Sequence, residues 1–456
     1  MKVIASQFSY GRKMAGAIAW AWCGLALFIA GPARAQSQPE PGRFTIGFEQ
    51  RVRSDDWNNA IDMSDKANDQ RDQVRDRTRL WVNVPVTSTF NIFVGGAAEN
   101  TQRFGTAKHF DEAFFDQAYL HFRKIFVSGL ELMVGRFDIA KGEGFVLFDG
   151  TPGDGPRSGY FNGADLSYSF GKQRIDLIGV FDPARDRFLP RIHDQSRVLQ
   201  NWDEQAAGVY YTNLSRPFIS VEAYYFYKKE TNDILAAVNP QFQPDRHVST
   251  MGGRVVRKLS ARTDWVSEYA RQWGAQHGGA VISAWGGYSY VKHTFNRILQ
   301  PYIKGGYWAL SGDDANTTGR VEGWDPLFSQ YPKWSDMYVY TFSREVGIAY
   351  WTNLCMSQAE TGIKPVRNTN LAFIWYHMNS FHPSAGSAAT FGSGTGRGEN
   401  LQVRFDYSPS PSWKAYLHYE THHPGDFYAP TRAGAYEVQA QVTYQFAFHP
   451  FEKAAR

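Results

Sequence analysis

Cysteine is nearly absent from this chain of 456 residues: Cys23 and Cys355 are the only two. That excludes a disulfide framework and a cysteine-based zinc cluster. Long apolar runs are scarce as well. Beyond residue 35 nothing approaches the roughly 20 apolar residues that a membrane-crossing helix needs, and the mean hydropathy is -0.44. A polytopic helical membrane protein is thereby excluded. With 43% hydrophobic and 16% aromatic residues the chain is equally unlike a disordered one. An excess of one charge is missing too. The formal charge of +4 comes from Lys2, Arg12, Lys13 and Arg34; without them 44 basic residues face 44 acidic ones. Nucleic-acid binding has no electrostatic support.

The first 35 residues read as a leader. Basic residues precede an uncharged apolar run from Met14 to Ala30, Gly31-Pro32 breaks it, and Ala33-Arg34-Ala35 offers a small-x-small cleavage site. That order predicts a secretory signal peptide over 1–35, with Gln36 as the first mature residue.

What remains alternates with period two. In the last segment Tyr436, Val438, Ala440, Val442, Tyr444, Phe446 and Phe448 are apolar, while Glu437, Gln439, Gln441, Thr443 and Gln445 stand between them. Such alternation is a strand with one apolar and one polar face. The pattern predicts strands near 43–53, 75–86, 89–99, 114–123, 130–138, 159–170, 173–182, 204–214 and 217–228. Others follow near 247–258, 262–273, 280–293, 299–310, 353–364, 369–379, 398–408, 412–423 and 435–448. These eighteen segments each have about the 9–11 residues that cross a bilayer at a tilt. Gaps between them alternate between long and short. The longest, 311–352, holds Met337–Phe342, a stretch with the look of an extra strand.

Long connections on one side and tight turns on the other predict an all-β, transmembrane, antiparallel up-and-down barrel over 36–448, with a short tail at 449–456. The sheet must close, because an open edge in lipid leaves backbone groups unpaired. Eighteen strands enclose more room than side chains fill, so a water-filled channel is expected. Tyr407, Trp413, Tyr419, Tyr436 and Phe448 fall near strand ends, where aromatic girdles sit.

The polar faces then line a lumen. Its basic candidates are Arg51, Arg53, Arg77, Arg79, Arg254, Lys304, Arg404 and Lys414; its acidic candidates are Glu49, Glu222, Asp264, Glu268, Asp406, Glu420 and Glu437. The totals nearly cancel. One basic concentration stands out, where Arg51 and Arg53 face a neighbouring strand carrying Arg75, Arg77 and Arg79. With strands about 4.8 Å apart these arginines form either a ladder for a passing anion or cross-strand pairs with lumen acids.

Enzyme motifs are missing. Neither G-x-S-x-G nor H-E-x-x-H occurs. His418, Glu420 and His422 share one strand face, but a polar lumen stripe accounts for them better than a metal site. Gly392, Gly394, Gly396 and Gly398 lack phosphate-loop spacing, Asp313-Asp314 lacks the spacing of a calcium loop, and no cofactor is expected.

Several motifs resemble the alginate export family of outer-membrane porins. They are Arg397-Gly398-Glu399-Asn400, Ser410-Pro411-Ser412-Trp413 and Pro424-Gly425-Asp426-Phe427, with Glu322-Gly323-Trp324-Asp325-Pro326-Leu327-Phe328 and Gly312-Asp313-Asp314 upstream. Thr352-Asn353-Leu354, Gly135-Arg136, Arg157 and Gly163 add to the likeness, although Phe137 stands where the family usually has Gln. The resemblance implies a monomeric barrel of 18 strands in the Gram-negative outer membrane, touching lipid and passing a polar or anionic, saccharide-like solute. A nutrient uptake porin is the alternative within transport. A barrel enzyme or an adhesin are alternatives outside it, and single-channel conductance separates them.

Overall fold

The computed structural model describes residues 42–65, 70–104, 109–148, 161–193, 199, 202–231, 245–329, 334–338, 341, 342, 345 and 351–450. The leader at 1–35, Arg157 and the last six residues lie outside these.

Wherever the sequence alternates, the chain is extended. The strands are β1 (Thr45–Asn58), β2 (Arg71–Pro85), β3 (Phe90–Arg103), β4 (His109–Arg123), β5 (Leu130–Phe137), β6 (Leu147–Phe148) and β7 (Phe161–Phe170). Next come β8 (Gln173–Asp182), β9 (Asp203–Arg216), β10 (Ile219–Thr231), β11 (Arg246–Ser260), β12 (Thr263–Ala275), β13 (Val281–Thr294) and β14 (Tyr302–Leu310). The series ends with β15 (Arg320–Val321), β16 (Phe328–Ser329), β17 (Leu354–Ile363), β18 (Thr369–Asn379), β19 (Gly396–Ser410), β20 (Trp413–Pro424) and β21 (Ala435–Phe448). Apart from the two-residue β6, β15 and β16, these are the eighteen expected strands.

Each of the eighteen pairs antiparallel with the next, and β21 returns to β1 in the register Val442↔Val52 and Gln441↔Arg53. The sheet therefore has no open edge. The connections 86–89, 124–129, 171–172, 217–218, 261–262, 295–301, 364–368 and 411–412 lie at one end and are all short. By the usual rule for outer-membrane barrels this is the periplasmic end, and the opposite end faces outward. Strands β1 to β4 run several residues further toward that outer end than their alternation foretold.

Outward faces carry the apolar set. Near the turns, Phe90 stacks on Phe122 with centroids 4.4 Å apart, and Trp413 packs on Tyr444 at 4.5 Å. Near the outer end Tyr225 packs on Trp273 at 6.2 Å, and Tyr269 on Trp285 at 6.4 Å. Two aromatic belts thus bracket an apolar band.

The largest apolar cluster lies inside the barrel. Two outer-end connections fold inward, 138–148 and the described parts of 311–352. Parallel pairing of β6 with β16 joins them. Phe145 stacks on Trp324 at 5.0 Å and meets Tyr288 of the wall edge-on at 5.5 Å. The open interior expected from strand number is therefore narrowed by the chain itself. Among the described residues of Met337–Phe342 there is no added strand: Tyr338, Thr341 and Phe342 are helical. A helical turn brings Tyr338 and Phe342 onto one face, their rings 4.7 Å apart, where both are buried.

Candidate functional site

Cross-strand register explains the wall of β1 and β2. Arg51 faces Arg77 and Arg53 faces Arg75, all four inward and buried. Like charges directly opposite repel, and buried unpaired charge is costly. Carboxylates separate them. Glu99 lies 3.5 Å from Arg51 and 3.8 Å from Arg77; Asp55 lies 3.0 Å from Arg53 and 4.0 Å from Arg75. Glu49 is 3.2 Å from Arg77 and 3.9 Å from Arg79, and Asp116 takes the Arg79 Nε–H at 2.7 Å. Arginine and acid alternate along this wall, so the cross-strand pairing weighed against an anion ladder is present.

Beside this wall lies a cavity of about 260 Å³, lined by Arg51, Arg53, Arg404, Lys414, Tyr416, Gln441 and Thr443 together with Asp336, Asp406, Ser408 and Ala415. Lys414 follows the turn 411–412, which puts the cavity toward the periplasmic end. The Arg404 guanidinium lies 4.1 Å from the Tyr416 ring centroid and 2.9 Å from Asp406. Among the described residues Lys414 has no carboxylate within ion-pair distance.

Arg254, Glu222 and Glu268 come together on one wall instead, as register partners on β10, β11 and β12. Arg254 reaches Glu222 at 2.8 Å, Glu268 at 3.9 Å and Glu143 of the inward 138–148 segment at 3.2 Å. Tyrosines supply the remaining hydrogen bonds: Tyr224 and Tyr288 donate to Glu268 at 3.0 and 2.7 Å, and Tyr290 to Glu143 at 2.6 Å. Lys304 pairs with Glu360 at 3.3 Å and lies 4.5 Å from the Tyr290 ring. Asp264 sits on the same inward face as Glu268, nearer the turns.

A further charge cluster was not singled out from the sequence. Lys228 pairs with Glu204 and Glu230 at 2.8 Å each, and its Nζ donates to the Leu327 carbonyl at 3.1 Å. Arg246 binds both Glu230 and Asp325. Gln272 holds the Asp325 backbone twice, at 2.7 and 2.9 Å. These groups fasten the long inward segment to β10, β11 and β12. At its far end Arg397 donates to Glu345 at 2.8 Å and to the Asn353 carbonyl at 3.1 Å, between the rings of Phe342 and Phe427.

His418, Glu420 and His422 do share the inward face of β20. Glu420 accepts from Asn400 at 2.7 Å and from Ser335, and His422 Nε2 lies 3.1 Å from the Arg397 carbonyl. Glu437 stands opposite Glu420 on β21. Among the described residues no group of His, Cys, Asp and Glu has metal-holding geometry. Asp313 and Asp314 shape the outer loop, accepting from the Glu322 and Asn316 backbone N–H at 2.7 and 2.9 Å. Gly396 receives Asp426 on its N–H at 2.7 Å, a loop clasp rather than a phosphate cradle.

Comparison with known proteins agrees with this architecture. No curated protein matches the sequence. Among solved structures, OccK5 (OpdH) of Pseudomonas aeruginosa aligns with a TM-score of 0.56 at 10% identity, over 89% of this chain and 98% of that one. OccK3 (OpdO) of the same organism gives 0.57 at 11%, over 89% and 96%. OpdK, solved with vanillate, gives 0.55 at 11%, over 88% and 99%. At such identities the likeness establishes the fold, an outer-membrane porin barrel. The family model described as "Alginate export" matches residues 43–441, and the chain belongs to that family.

Proposed function

We propose that this outer-membrane channel passes an anionic, saccharide-like solute along the wall formed by β1, β2, β19, β20 and β21. The cavity beside Arg51 and Arg53 carries the reading. Guanidinium forks suit carboxylates, the Tyr416 ring offers a face for a sugar, and Gln441 and Thr443 offer hydrogen bonds to hydroxyls. Lys414 adds a cation that, among the described residues, has no carboxylate in ion-pair distance. Arg254, Lys304, Glu268 and Glu437 belong to the same pathway as its opposite and upper walls.

A small-carboxylate uptake porin is the second reading, suggested by the likeness to OpdK, the structure solved with vanillate. One bilayer experiment separates the two. Single-channel current is recorded while uronic-acid oligomers, neutral oligomers of equal length, or a monomeric aromatic carboxylate are added. Under the proposal the uronic oligomers block the current at about tenfold lower concentration than the neutral ones. Equal block by charged and neutral oligomers refutes an anion site. Block by the monomer alone favours the uptake reading.

A further inference from the structure

Lys228 and Lys229 are chain neighbours with opposite surroundings. Lys228 points inward and is paired with two glutamates. Lys229 points outward, exposed, and among the described residues has no carboxylate partner. The same contrast separates the buried, paired Arg246 from His247, which is exposed. Register sets Lys229 directly between Gln205 of β9 and His247 of β11, so three side chains with N–H donors lie in one row on the barrel exterior. On β12 the row continues to Ala275, and Arg271 stands outward four residues nearer the turns. It is exposed, opposite Met251, and spends one N–H on Ser283 Oγ at 2.8 Å.

This row caps the outer aromatic belt. Tyr227 lies beneath His247 with ring centroids 5.9 Å apart, Tyr225 packs on Trp273, and Val221 and Met251 continue the apolar surface below. Along β10 polarity therefore runs from apolar to aromatic to cationic toward the outer end, while Arg271 of β12 lies within the aromatic belt, between Tyr269 and Trp273. The order along β10 is that of acyl chain, interface and headgroup. Other outward sectors at this end differ in sign. His377 pairs with Glu399 at 2.6 Å, and Asp56 faces Asp72 across β1 and β2.

We propose that the exterior of β9–β12 binds the phosphate groups of a glycolipid in the outer leaflet. Lys229 and Arg271 neutralise the phosphates, Gln205 and His247 add N–H donors, and the Tyr and Trp belt packs on the upper acyl chains. Cations anchored on an apolar wall reach the headgroup level by their long stems, and low-dielectric surroundings strengthen their hold on phosphate. The site is separate from the solute pathway, being on the opposite face of the same strands.

The folded barrel in detergent, exchanged against each lipid and read by native mass spectrometry, tests this. The probes are bisphosphorylated lipid A, the same lipid after enzymatic dephosphorylation, and phosphatidylglycerol. Wild type is expected to retain the bisphosphorylated lipid at about tenfold lower concentration than the dephosphorylated one. Lys229→Gln with Arg271→Gln should lose that preference, while Arg257→Gln, outward at the turn end, should keep it. Either single substitution, should the pair fail to fold, is expected to lose part of the preference. Retention independent of phosphate, or a preference unchanged in the Lys229 and Arg271 variants, overturns the proposal. Phosphatidylglycerol bound as tightly as lipid A overturns the glycolipid assignment.

Discussion

Arg77 opposite Arg51 is tolerable because carboxylates flank the pair: Glu99 lies within 4 Å of both, and Glu49 is 3.2 Å from Arg77. Period-two alternation places every lumen candidate on the inward face, from Arg51 to Glu437, and that much follows from parity alone. The partners do not. Asp116 is the extra residue of a bulge, since Gly95 faces Gln117 while Gly96 faces Phe115. A bulge shifts parity by one, so no count along the sequence brings Asp116 to Arg79. Lys414 is a residue where charge can be changed with little structural loss, being exposed and, among the described residues, without a carboxylate in ion-pair distance. Lys414→Glu should move the reversal potential toward cations in a salt gradient. High-salt conductance should stay nearly constant, because the Debye length falls to about 3 Å at 1 M. An unchanged reversal potential would put Lys414 outside the conduction path. The double change Arg77→Glu, Arg79→Glu would instead crowd two acids against Glu49, Glu99 and Asp116, and lower folded yield is expected there.

Elements were easier to read in the wall than in the lumen. A strand facing lipid on one side and water on the other alternates cleanly, whereas the inward segments meet mainly through apolar side chains such as Phe145 and Trp324 and follow no period. Two of the motifs that gave the resemblance, those with Trp324-Asp325 and Arg397, anchor the long inward segment. Trp324 and Asp325 fix it against Phe145, Arg246 and Gln272, and Arg397 clasps its far end. Gly135 sits at φ 131 facing Gly163, where a Cβ would run into the Ala118 carbonyl, and its neighbour Arg136 binds Asp186 at 2.6 Å. Asp325 gives a direct test of the constriction. Asp325→Ala removes a buried partner of Arg246 and Lys228, a loss of about 3–5 kcal/mol concentrated on the inward segment. The wall keeps all its backbone pairing, so the variant should fold and show higher, noisier single-channel conductance. Wild-type conductance in Asp325→Ala would mean that the segment does not limit the pore.

Closure belongs to the whole molecule. A sheet of this size in lipid is stable only if β21 meets β1, since otherwise two strands would leave their N–H and C=O groups without partners or water. The seam therefore has two chemistries, lipid outside and lumen inside, and neighbouring residues of β21 sample both. Val442 faces outward between Val52 and Ala415, whereas Gln441 faces inward between Arg53 and Tyr416. Val442→Arg puts a charge into the apolar band at a cost of about 2–4 kcal/mol near the midplane. Gln441→Glu gives Arg53 a carboxylate directly across the seam and should be neutral or slightly stabilising. An arginine at 441 would be the wrong control, because it would add a like charge opposite Arg53. Folded barrel can be separated from unfolded chain by its faster migration on a gel before boiling, so refolding into lipid vesicles followed by titration with urea gives both yield and midpoint. Val442→Arg should lower both, and Gln441→Glu should leave them at wild-type values. Equal loss in the two variants would mean that the seam does not divide lipid from lumen at these positions, and the assignment of faces around the entire barrel would fall with it.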